Sequence, residues 1–104
     1  VTGDEPAEVL YDAHRVLVIV PLNPVTSGHV IVLPKKHVID FTTDWLATID
    51  ATHAAFQYAR RVGGDVNLIT SKGEAATQSV FHLHIHLVPR RENDGLALPW
   101  SERR

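Results

Sequence analysis

The 104-residue chain contains no cysteine. That removes disulfides, thiolate metal ligands and a cysteine nucleophile together. An oxidising compartment is then not required, and the cytoplasm is the expected location. Long apolar runs are missing too. None approaches the ~20 residues of a membrane-spanning helix, and no signal-peptide pattern opens the chain, so no membrane partner is expected. Val1 is not an initiator methionine, which implies that something upstream was removed or left out. Charge of one sign is also lacking. Ten Lys and Arg against twelve Asp and Glu leave a formal net charge of −2. Such a balance excludes a protein held to a nucleic-acid polymer by bulk charge. No internal repeat or low-complexity tract occurs, and no G-x-x-x-x-G-K-[S/T] phosphate loop.

What is present is a soluble globular balance, 44% hydrophobic and 21% charged. The length fits one domain over 1–104 with a thin core that a second subunit would help to cover. Val9–Tyr11, Val16–Val20, His29–Leu33, Asp65–Ile69 and Gln78–Val88 read as strands, the second and third forming a hairpin around Pro21–Gly28. Thr43 or Asp44 caps a helix that Gly63-Gly64 ends. Trp45, Ile49, Thr52, Phe56 and Ala59 recur along it at helical spacing, widened by Leu46 and His53, and predict an apolar face against a sheet. Hairpin-length connections then predict an α+β fold, an antiparallel sheet covered by one main helix.

Histidine is over-represented: seven in all, three of them in Phe81-His82-Leu83-His84-Ile85-His86-Leu87. On a strand, His82, His84 and His86 share one face, about 6.7 Å apart in succession and about 13 Å end to end. Phe81, Leu83, Ile85 and Leu87 take the other face, toward the helix. Three readings follow. Histidines can solvate an edge strand, although Lys, Thr or Glu would serve as well. Imidazoles can bind a metal, but three on one straight strand do not surround an ion tetrahedrally, and no Cys, Asp or Glu joins them. Imidazoles can also hold and attack a phosphoryl group, being donors when protonated and nucleophiles when neutral. Lys72, Gly73, Gln78 and Ser79 just upstream suit that third reading.

His82-Leu83-His84-Ile85-His86-Leu87-Val88 resembles the His-φ-His-φ-His-φ-φ hallmark of the histidine triad (HIT) superfamily at every position, φ being apolar. Further blocks are similar: Pro6–Tyr11, Asn23-Pro24 with Gly28-His29-Val30 and Pro34–His37, Asn67, Gly73–Ala75, and Gln78–Val80. The likeness covers roughly residues 5–92. It implies a five-stranded antiparallel sheet with a flanking helix, paired into a ten-stranded homodimer. It also implies cleavage of a nucleotide substrate at the α-phosphate through a nucleotidyl-histidine, without a cofactor. Carried onto this chain, His84 is the nucleophile, His82 and His86 flank it, and His37 completes the cluster. Asn23, Asn67, Gln78 and Ser79 match positions that contact the substrate. His29 lies in a matching block and is expected to be structural.

Ser79 beside Gln78 is similar to the Hint branch, where a hydroxyl protonates a departing amine, so a nucleoside phosphoramidase is favoured. Pro89-Arg90-Arg91 is more similar to the Fhit branch, which hydrolyses dinucleoside polyphosphates. A nucleotide-binding module with little turnover is the alternative of another class. Two departures stand out. Pro21 replaces an Asp that many members use for the ribose hydroxyls. The C-x-x-C that binds zinc with two histidines like His37 and His82 is missing, so no metal is expected. In the tail, 93–104, Trp100 either packs on its own subunit or reaches across a dimer.

Overall fold

The computed structural model describes residues 8–100. Pro6 and Ala7 of the first resembling block, and Ser101–Arg104 of the tail, lie outside the described residues. The elements are β1 (Glu8–Asp12), β2 (Val16–Val20), β3 (Val30–Pro34), α1 (Trp45–Val62), β4 (Val66–Ile69), a short 3-10 turn (Glu74–Ala76) and β5 (Ile85–Pro89). The strands form one antiparallel sheet in the order β1-β2-β3-β5-β4. Among the described residues no helix is long and apolar enough to cross a membrane.

The β-branched runs of β2 and β3 pair as a hairpin from Val16↔Pro34 to Ile19↔Ile31. Their turn ends at Gly28, whose φ of +90° favours glycine, and an added Cβ there would lie 3.1 Å from Cγ of Pro89. One sheet face carries Val16, Val18, Val30, Val32, Ile85 and Leu87, which pack with Ala51, Ala54 and Ala55 of α1. Val38, Ala47 and Leu83 form a second small cluster.

The ends of α1 follow its capping residues. The Asp44 carboxylate accepts from the Ala47 amide at 3.0 Å. Gly63, at φ +78°, donates its N–H to the Ala59 carbonyl. The buried face differs from the expected one. Ala51, Ala54 and Ala55 meet the sheet and Ala47 packs on Val38 and Leu83, whereas Trp45 (70% exposed), Ile49 (49%) and Phe56 (55%) point to solvent with Leu46. His53 is exposed and stacks on Phe56. Two stripes of helical period run along α1, and the sheet takes the one whose methyl groups let the backbones approach closely.

The last strand is also shorter than expected. Its ladder begins at Ile85 rather than Gln78. The register that pairs Val32 with Ile85 would place Pro34 opposite Leu83, and proline has no N–H to continue it. Leu83 donates instead to the Val38 carbonyl. Leu83, Ile85 and Leu87 are buried toward α1 as expected, but Phe81 is exposed. β5 is interior, between β3 and β4, so solvation of an edge strand does not explain His86, the one triad histidine within it.

Candidate active site

A cavity of about 310 Å³ lies on the sheet face opposite α1, at the lower end of small-molecule sites. His84 and His86 line it from β5 and the residue before it, with His29, Asn67 of β4, Arg90 and Leu96–Leu98.

Hydrogen-bond partners fix where each imidazole carries its proton. Nδ1 of His84 is 2.7 Å from the His82 backbone carbonyl. A carbonyl only accepts, so Nδ1 holds the hydrogen and the neutral ring keeps a bare Nε2. His29 is buried, and its Nδ1 accepts from the Val25 amide at 3.1 Å. Its hydrogen therefore sits on Nε2, which donates to Nδ1 of His86 at 2.9 Å. His86 in turn holds its hydrogen on Nε2 and is a donor there. Burial pushes His29 below the ordinary histidine value. Burial, then the neighbouring His84 and His29, pushes His86 down to about 4. At neutral pH His86 is a fixed neutral donor.

Of the three imidazoles, His84 and His86 line the cavity and His82 does not. The His84 and His86 rings are 5.1 Å apart. His82 turns away: its Nε2 donates to the Pro34 carbonyl at 2.8 Å, and its Nδ1 lies 3.3 Å from Nδ1 of His37. Burial is the largest influence on His82 and lowers its affinity for a proton, partly opposed by the Pro34 carbonyl. Neither His82 nor His37 lines the cavity. His82 acts on the site through its backbone carbonyl, which orients His84.

The remaining expected residues separate. Asn67 lines the cavity and accepts from Nη1 of Arg90 at 2.6 Å. An arginine cannot accept, so the side-chain oxygen faces it and the amide nitrogen remains a donor in the wall. Gln78 also lines the cavity, but its amide is engaged in holding the loop. Oε1 accepts from Gly73, and Nε2 donates to the Ile39 and Val80 carbonyls. Both amide hydrogens are thereby used, which leaves it no donor for phosphate. Asn23 and Ser79 are exposed and outside the lining. His29, Arg90 and the 96–98 segment also line the cavity, a placement the sequence reading did not include. His29 carried a signal in the Gly28-His29-Val30 block, whereas the segment carried none.

The HIT domain model matches residues 2–93. An uncharacterized HIT-like protein of Methanocaldococcus jannaschii is 34% identical over 98% of this chain and 83% of its own length. A crystal structure of a HIT family protein from Bacillus anthracis superposes with a TM-score of 0.83 at 31% identity, covering 96% of this chain and 76% of that one. A Zn-bound histidine triad family protein from Mycobacterium smegmatis gives 0.75 at 38% identity, covering 92% and 74%. The residues present here do not fit such a zinc. His37 and His82 offer two nitrogens, and among the described residues no group of three or more His, Cys, Asp or Glu could hold a metal. The sheet order, the histidine constellation and these matches together lead to one conclusion: the chain belongs to the HIT domain family.

Proposed function

We propose that the protein is a nucleotide hydrolase or transferase acting at the α-phosphate through His84, with nucleoside phosphoramidates as its favoured substrates. Membership of the HIT family supports nucleotide transfer or hydrolysis in general. The observation that carries the reading is the 2.7 Å contact between Nδ1 of His84 and the His82 carbonyl. It places the hydrogen of the neutral imidazole on Nδ1 and leaves the Nε2 lone pair free on a cavity-lining ring, which is what a nucleophile requires.

The bare Nε2 of His84 attacks phosphorus, and the bond from phosphorus to the leaving nitrogen breaks. A proton from water reaches that nitrogen as it leaves, since Ser79 is exposed and outside the cavity lining. The ring keeps its Nδ1 hydrogen, so the nucleotidyl-imidazole carries a positive charge that the His82 carbonyl stabilises. Water then adds to phosphorus, the bond to Nε2 breaks, and nucleoside monophosphate leaves with loss of one proton. The fixed Nε2–H of His86 and the amide of Asn67 donate to the phosphoryl oxygens as charge develops. No cofactor takes part. The same reading pairs two copies of the chain: β4 is an outer strand among the described residues, with Val66 and Leu68 exposed, and α1 presents Trp45, Ile49 and Phe56 to solvent.

Rapid quench of the wild-type protein with an adenosine phosphoramidate should trap acid-labile, base-stable nucleotide on the chain. His84→Ala should trap none and lose several orders of magnitude in turnover, on the order of 10³ or more. His86→Ala should lose about 10²–10³, as for a charge-stabilising donor. A His84→Ala protein with near-wild-type turnover would overturn the reading in favour of a binding module.

A further inference from the structure

The residues after β5 fold back over the cavity, and Arg90 and Asp94 tie them there. Nε and Nη2 of Arg90 donate to the two Asp94 carboxylate oxygens at 2.8 and 3.1 Å. Nη2 also donates to the Leu96 carbonyl at 2.8 Å, and Nη1 to Asn67. The Asp94 oxygens accept in addition from the Arg91 and Leu96 amides, each at 3.0 Å. Both side chains are largely covered, 20% and 11% exposed. A guanidinium has five N–H donors, and the contacts named use most of them.

Two consequences follow for the cavity. Arg90 is the one Lys or Arg among its described lining residues, and Asp94 balances its charge. The wall that Arg90 holds in place, Leu96, Ala97 and Leu98, is apolar and faces a cavity that Val25 and Ile69 also line. A polyphosphate leaving group brings several negative charges and needs unpaired cations to replace its water. An uncharged apolar group needs only surface to bury.

We propose that Arg90 is a positioning residue that locks Leu96–Leu98 into a neutral apolar wall beside His84 and His86, so that the site takes substrates whose leaving group is uncharged and apolar. The inference rests on the hydrolase reading above and names the leaving-group class for that site. Arg90 couples the two sides of the site, because the guanidinium that anchors the wall also sets the orientation of the Asn67 amide.

The test compares an adenosine 5′-phosphoramidate carrying an N-hexyl amine with its N-methyl counterpart and with diadenosine triphosphate. The wild-type protein should prefer the N-hexyl compound in kcat/KM. Asp94→Asn leaves the Arg90 charge unbalanced and loosens the wall. The preference for N-hexyl over the triphosphate should fall about tenfold, mainly through a higher KM for the N-hexyl compound, with kcat little changed. Equal losses on both substrates, or an unmoved ratio, would overturn the proposal. Leu98→Ala leaves the ion pair intact and should lower the N-hexyl to N-methyl ratio about fivefold; an unchanged ratio would count against the wall even if Asp94→Asn failed to fold. Should wild type cleave none of the three, the hydrolase reading fails. The same ratios, read as dissociation constants by calorimetry, then decide the wall separately.

Discussion

His86 illustrates how one residue's surroundings set a property of the whole chain. Its pKa falls from the ordinary 6.5 to about 4 in the folded protein. Between those values the unfolded chain binds the proton and the folded one does not, so stability increases with pH across that window. The contribution is fully present above about 6.5 and is lost as pH falls toward about 4. His29 and His82 are shifted in the same direction. Urea midpoints measured from pH 7.5 to 4.5 should therefore fall with acidification, and His86→Phe should flatten the slope. A midpoint that holds constant to pH 4.5 would contradict the neutral assignment. The sequence places His82 two residues before His84, near enough along the chain for its carbonyl to reach that ring. It could not show the His29 partnership, which joins residues 57 apart and depends on the register of β3 against β5.

Elements were legible where their boundaries are written in local chemistry. Asp44 and Gly63 mark α1, Pro21 and Gly28 bracket the hairpin, and β-branched runs mark β2 and β3. The orientation of α1 was not legible. A periodic pattern identifies a stripe, but a row of alanines carries little hydrophobic weight and still wins the sheet because it is small. The start of β5 was hidden for a related reason, because the limit comes from Pro34 on another strand. The helix assignment makes a prediction opposite to the one its large residues invite. Ala51 is fully buried, so Ala51→Leu should overpack the sheet interface and destabilise the fold by about 1–3 kcal/mol. Phe56→Ala, on the exposed side, should cost less at concentrations where the chain is monomeric. Urea denaturation of the two variants orders them, and a larger cost for Phe56→Ala would reverse the assignment.

At the scale of the whole molecule, β4 is the outer strand on one side of the sheet among the described residues, with Val66 and Leu68 exposed. Open edges and exposed apolar helix faces are costly in isolation, and a two-fold axis would cover both with the same surface. Light scattering at tens of micromolar should give twice the chain mass, and Ile49→Asp with Leu68→Asp should halve it. A wild-type protein that scatters as a single chain would remove the paired sheet. The series Val25, His29, His86 runs from the β2–β3 loop to the cavity, and it has a direction. It begins at a backbone amide that gives a hydrogen bond and cannot take a proton in exchange. The series is therefore not a proton wire: its polarity cannot reverse, and no charge passes along it during turnover. It works as a compass needle does, and nitrogen-15 shifts should show His86 bare at Nδ1 and protonated at Nε2 throughout the neutral pH range.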